Sequence, residues 1–291
     1  MSKKGQRISV KEMEIKLKSN ENNTAQKEKK FIEKNLSMVF FILTLLIGWS
    51  PWLTGKGYVF FAAPTLAALI LAGATQGKSG VYDIIHRLTR WKVTPTIYAV
   101  SIFFPALTYT GAIIINQILG GTLPSFMLLK NPMMSIITFI MFLLPWQSSA
   151  FLEEVGFRGY IIEELQNKYG PLKGTLVLGF FFGAWLLPEF YRNGSAQQLL
   201  GLNYYPWFIL TEIGFSLIMS WLYNKSGKSS LISGVIFHTA MNFWSYALLT
   251  NNMPGQPMIA FDLVLWKIAS IVVALAGTGV AWITKGNLGF E

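Results

Sequence analysis

In "SSAFLEEVGFRGYIIEEL", from Ser148 to Leu165, two carboxylates are adjacent and an arginine follows the second by four residues. On a helix, Glu154 and Arg158 at i,i+4 share one face and are placed to pair. Glu153 projects about 100° away from Glu154, one residue's turn at 3.6 residues per turn, and is left for other work. In "GVIFHTAMNFW", from Gly234 to Trp244, His238 and Asn242 repeat the i,i+4 spacing. A carboxylate that can take a proton, an imidazole, and an amide that can donate are the parts of acid–base chemistry. A further acid, Glu189, follows Pro188 in "FFFGAWLLPEFY" and is expected at an interface with water.

Each group also has a plainer reading. Glu153, Glu154 and Arg158 are ordinary solvated charges if they lie among headgroups, and His238 is a packing histidine if it only bonds a neighbouring carbonyl. The two readings part on one question: whether these side chains lie within a membrane and face the protein interior.

The elements that carry them answer the first half. Of 291 residues, 52% are hydrophobic and only 13% charged, with a mean hydropathy of +0.43. A soluble domain has about 25% charged residues, so the chain reads as an all-α, polytopic membrane protein. A hydrocarbon core of roughly 30 Å needs about 20 apolar residues as a helix. About eight segments qualify, near 36–53, 58–75, 96–118, 132–151, 172–190, 204–223, 229–249 and 262–284. They make one helical domain over 36–291, preceded by a basic arm over 1–35 that is expected to be disordered. "GVYDIIHRLTRWKVTPTIY" puts Ile84, Ile85, Leu88 and Trp91 at helical spacing, as an interfacial helix would.

Basic residues set the orientation. With the arm in the cytoplasm, the inner connections hold Lys78, Arg87, Arg90 and Lys92, then Arg158, Lys168 and Lys173, then Lys225 and Lys228, with Lys285 at the end. The outer ones hold Lys56, Lys130 and Arg192. An even number of spans with both termini cytoplasmic in the cell membrane fits this distribution. His238 then lies ten residues beyond Lys228, about 15 Å deep at 1.5 Å per residue. A charge at the centre of a membrane helix costs about 2.5–3.5 kcal/mol. Ionisable residues there point to function.

Several classes are excluded. The net charge of +10 owes much to the arm, where ten of the 24 basic residues precede Asn35 among five glutamates. Without interleaved aromatics this suits anionic lipid rather than nucleic acid. There is no cysteine, and His86 and His238 are the only histidines. A zinc site would need mostly carboxylates, so neither metal nor cofactor is expected.

"EEVGFR" (Glu153 to Arg158), "FGAWLLP" (Phe182 to Pro188) and "HTAMN" (His238 to Asn242) resemble, in order and spacing, three motifs of the CAAX-protease and bacteriocin-processing family of intramembrane endopeptidases, also called the Abi family. The likeness covers about residues 80–250 and includes "YDIIHRLTRWKV". It implies eight helices around a conical polar cavity open to the cytoplasmic side. It implies Glu153 as the base that activates water, His238 and Asn242 as donors to the oxyanion, and Glu154 and Arg158 as support. The substrate would be a membrane-anchored or membrane-proximal peptide. One motif position departs: where the family's second motif has a histidine, this chain has Leu186.

Two other readings follow from the residues. Leu186 fits a catalytically silent relative that binds a membrane partner as an immunity or regulatory scaffold. A buried Glu–Arg–His relay would fit a transporter, but the internal symmetry of broken helices that such a fold carries is not seen.

Overall fold

The computed structural model describes residues 26–144, 149–253 and 261–290. Residues 1–25 of the basic arm lie outside the described residues, while 26–34 are helical and lead into the first apolar helix. Apolar segments in lipid have no water to satisfy their backbone, and a helix satisfies it internally. The described residues form helices and their connections, with no strand among them.

In chain order the helices are α1 (Leu36–Leu53), α2 (Ala63–Gln76), α3 (Lys78–Leu88), α4 (Pro95–Ile118), α5 (Pro132–Leu143), α6 (Ser149–Gly156), α7 (Ile162–Tyr169), α8 (Pro171–Trp185), the short α9 (Ala196–Leu200), α10 (Tyr205–Lys225), α11 (Phe237–Leu249) and α12 (Leu263–Ile283). Prolines start several of them where a missing N–H costs nothing, as Pro95 does for α4 and Pro171 for α8. Asp262 caps α12 by accepting from the backbone N–H groups of Val264 and Leu265. The all-α membrane class is what the structure has. Residues 36–53, 95–118, 171–190 and 263–283 are long and apolar enough to cross a membrane, and α2 and α5 are shorter apolar helices. Among the described residues helix occurs in all eight expected segments, but four rather than eight meet that length and composition.

One expected span is interrupted. The run 132–151 was read as continuous, yet α5 stops at Leu143 and Leu144 is extended (φ −72°, ψ 133°). Leu144 precedes Pro145, and the proline ring pushes its predecessor out of the helical region. Glu153 and Glu154 therefore sit inside a new helix, α6, rather than at the end of a long one.

Two π-helical turns follow, Phe157–Ile161 joining α6 to α7, and Leu231–Ile236 leading into α11. Such turns recur at functional sites because they re-aim the side chains around them. Here the two lie against each other, with a Cβ at Gly159 falling 3.5 Å from Ile84 and 3.7 Å from the Ser230 hydroxyl.

Among the described residues two large apolar clusters dominate the bundle, with three smaller ones beside them. One joins α1, α2, α6 and α8 around Phe40, Phe157, Phe182 and Trp185. The other joins α4, α10, α11 and α12 around Tyr109, Phe215, Phe237 and Met241. Small residues allow the close approach on which helices in lipid rely. Gly179 and Gly183 lay α8 against α10, where an added Cβ would meet the Ile213 and Ile209 Cα atoms at 2.8 and 3.0 Å. The segment expected to form an amphipathic helix is helical as α3, but its apolar stripe divides: Ile84 is buried, whereas Ile85 and Trp91 are exposed. Trp91 falls beyond the end of α3, so helical spacing no longer governs it.

Candidate functional site

Between the two clusters runs a buried polar seam. α6 supplies Glu153 and Glu154, the π turn after it supplies Arg158, α10 supplies Ser216, and α11 supplies His238. Glu153, Glu154, Arg158 and His238 are each at most 4% exposed. Arg158 Nη1 donates to both Glu154 oxygens, at 3.1 and 2.9 Å, and its Nη2 donates to the Ser216 hydroxyl at 3.1 Å. His238 Nδ1 lies 3.0 Å from Glu154 Oε1. The i,i+4 pair expected on one helix face is thus present, although a π turn begins between its members.

Glu154 is therefore fully engaged, and Glu153 is not. Both Glu153 oxygens are buried without a hydrogen-bond partner, and Oε2 stands 3.9 Å from His238 Nδ1. An unpartnered buried carboxylate is costly and asks for an explanation such as a bound water or a catalytic role. The approach of α11's leading turn depends on Gly234, where a Cβ would fall 2.8 Å from Glu154 Cβ and 3.4 Å from Arg158 Cβ.

His238 is held from its other side by Phe182, whose ring meets the imidazole edge-on at 5.7 Å. That contact brings all three motif segments together. One turn beyond Phe182, Leu186 is buried in the apolar cluster with Trp185, so the position of the expected second histidine is filled by hydrocarbon. His86 offers no replacement: it is exposed on α3, stacked on Tyr82 and bonded to Arg90. Glu189 was expected at an interface but is 2% exposed. It is held by Arg192, whose Nε donates to Oε2 at 2.7 Å, so burial there is offset by an ion pair.

Asn242, one turn after His238 on α11, makes no side-chain hydrogen bond among the described residues. It lines a cavity of about 150 Å³ together with Glu212, Tyr204 and Gln197. The cavity was expected to open on the side of the basic connections. This one lies toward α9 and the start of α10, in the half of the bundle away from Lys225, because α11 carries Asn242 outward beyond His238. Glu212, 8% exposed within α10, was missed by the sequence reading. A lone acid in the apolar run Tyr205–Tyr223 was the signal that would have found it. No group of three or more metal-ligating side chains occurs among the described residues.

Fold and site define the class: an integral membrane protein with a charged cluster sealed inside a helical bundle. A family model described as "Type II CAAX prenyl endopeptidase Rce1-like" matches residues 134–244, the stretch that holds Glu153, Glu154, Arg158, Leu186, His238 and Asn242. The chain is 27% identical over 229 residues to a CAAX prenyl protease 2 of Methanococcus maripaludis, covering 70% of this chain and 82% of that protein. It is 24% identical over 129 residues to a lysostaphin resistance protein A of Staphylococcus haemolyticus, covering 43% of this chain and 33% of that protein. With a lysostaphin resistance protein A of Staphylococcus aureus it shares 21% identity over 267 residues, covering 85% of this chain and 57% of the other. The chain thus spans about a third to somewhat over half the length of those staphylococcal relatives. Family model and archaeal relative agree with the motifs in the likeness to the CAAX-protease and bacteriocin-processing family.

Proposed function

We propose that the protein is an intramembrane endopeptidase that hydrolyses a membrane-proximal peptide bond with a water activated by Glu153. One observation carries this reading: of two adjacent buried glutamates, Glu154 is spent on Arg158 and His238, while both oxygens of Glu153 have no partner. In the reaction, water donates a hydrogen bond to Glu153, passes it a proton, and adds to the carbonyl carbon. Asn242 donates its amide N–H to the oxyanion, as preorganised donors in a dry site do. His238 Nδ1 faces Glu154, so the ring adds a second donor through Nε2 only when both nitrogens carry protons. The C–N bond then breaks, and the proton held by Glu153 goes to the leaving amine. Bilayer and peptide are the partners. The chain crosses the cell membrane about eight times, with both termini on the cytoplasmic side, an arrangement that fits the basic residues of the connections.

Leu186 favours a second reading, in which the same site binds a peptide without cutting it. The staphylococcal relatives are named for lysostaphin resistance rather than for cleavage, which suits such a role. Purified protein in nanodiscs, offered reporter peptides with and without a prenylated C-terminal CAAX sequence, separates the two. The peptidase reading expects cleavage by the wild type and a loss of roughly 10²–10⁴-fold in Glu153→Gln, the scale of general-base catalysis. Cleavage only by Leu186→His establishes the silent relative, and undiminished cleavage by Glu153→Gln removes the role given to that residue.

A further inference from the structure

The cavity beyond Asn242 contains an acid that the hydrolytic scheme does not use. Glu212 projects from α10 into it, is 8% exposed, and forms no hydrogen bond or ion pair among the described residues. Its walls include four aromatic rings: Tyr109 from α4, Phe208 from α10, Tyr204 just before α10, and Trp266 from α12. The cations nearby bond other partners, although the charge of Arg158 also reaches Glu212. Arg158 serves Glu154 and Ser216, Arg192 serves Glu189, and Lys267 lies over the Trp207 ring at 5.9 Å from its centroid. The seam and cavity thus hold Glu153, Glu154 and Glu212 against a single Arg158.

The geometry points to a binding subsite for an organic ammonium group, with Glu212 as its counter-ion and the four rings as its cage. Aromatic faces attract cations, and more strongly where water is excluded. A carboxylate at the end of such a cage supplies the charge that makes an ammonium fit better than a neutral group of the same shape. At about 150 Å³, the cavity suits a side-chain tip, since sites for drug-sized molecules start near 300 Å³. Because Asn242 both lines it and stands one turn from His238, the occupant lies next to the proposed reacting centre. The ammonium is that of a basic side chain in the bound polypeptide. The subsite thereby gives the peptidase a preference for lysine near the bond it cuts; it rests on the proposed function only in taking the cation from a peptide.

Binding tests this independently of cleavage. The full chain carrying Glu153→Gln is placed in phosphatidylglycerol nanodiscs, and n-butylammonium is titrated with saturation-transfer NMR, using 1-butanol as the neutral control. Saturable butylammonium binding, weakened at least tenfold by adding Glu212→Gln, is expected, with no saturable signal from 1-butanol. Equal binding with and without Glu212→Gln, or equal binding of the alcohol, overturns the site. If the Glu212→Gln protein does not fold, Trp266→Leu takes its place and at least threefold weakening is expected, with unchanged affinity again overturning the site. A lysine-containing peptide must displace butylammonium better than its norleucine counterpart. Displacement by added phosphatidylethanolamine but not by the lysine peptide overturns the peptide source in favour of a lipid headgroup. Ammonium binding without wild-type cleavage counts against the hydrolase alone, and cleavage without ammonium binding counts against the subsite alone.

Discussion

Arg158 Nη1 reaches both oxygens of Glu154, and its second terminal nitrogen reaches Ser216, with all three side chains buried. Removing one member of a buried ion pair leaves the other uncompensated, which costs about 3–5 kcal/mol. Arg158→Met should therefore destabilise the protein by about that amount in denaturant titrations in detergent. Adding Glu154→Gln should return much of it, because the orphaned charge is then gone. Equal stability of Arg158→Met and wild type would mean that Glu154 is not held as a buried carboxylate. The same residues explain why Glu153 is the one left over: α6 turns it away from Arg158 while keeping its Oε2 within 3.9 Å of His238.

Between elements, the basic end of the bundle is tied by a second ionic group. Arg87 on α3 bonds Asp83, the Tyr223 hydroxyl on α10, and Glu163 on α7, while Lys228 also bonds Glu163. Partial burial opposes ionisation of Glu163, but the hydrogen bond from Lys228 and the charge of Arg87 outweigh it, and its pKa is lowered. A carboxyl whose folded value lies below its unfolded one, near 4.3 for Glu, contributes stability at higher pH. That contribution is lost as pH falls through the folded value. Thermal midpoints measured from pH 6 down to pH 3 should fall more steeply for wild type than for Glu163→Gln. Parallel curves would show that the tie between α3, α7 and α10 adds nothing. The pair formed by Gly179 and Gly183 acts at the same scale, since close backbones are what hold α8 and α10 at the depth where Ser216 meets Arg158.

Across the whole molecule, legibility followed the chemistry of the solvent. Charges are rare in lipid, so Glu153, Glu154, Arg158 and His238 stood out, and long apolar runs located the helices that carry them. The break at Leu144 was also readable, because Pro145 restricts its predecessor, but hydropathy averaged over a window smooths over one residue. Neither π turn had such a signal: the second packs through Gly234, where a Cβ would fall 2.8 Å from Glu154 Cβ, a tertiary approach. The choice of Glu154 rather than Glu153 as the partner of His238 was invisible for the same reason, being set by tertiary approach. Glu212 obeyed the rule that found the other acids and was passed over among apolar neighbours. The cavity at Asn242 lies away from the basic end because α11 sets that residue beyond His238, a placement that spacing along one helix cannot reveal.

The account rests on Glu153 and His238, from helices far apart in sequence, working as one unit. Cleavage rates of Glu153→Gln, His238→Ala and the double variant, each checked for folding by its thermal midpoint, test this most directly. Residues that act together give non-additive losses, so the double variant should be about as slow as the slower single one. Losses that multiply, or a Glu153→Gln protein as fast as wild type, would contradict it.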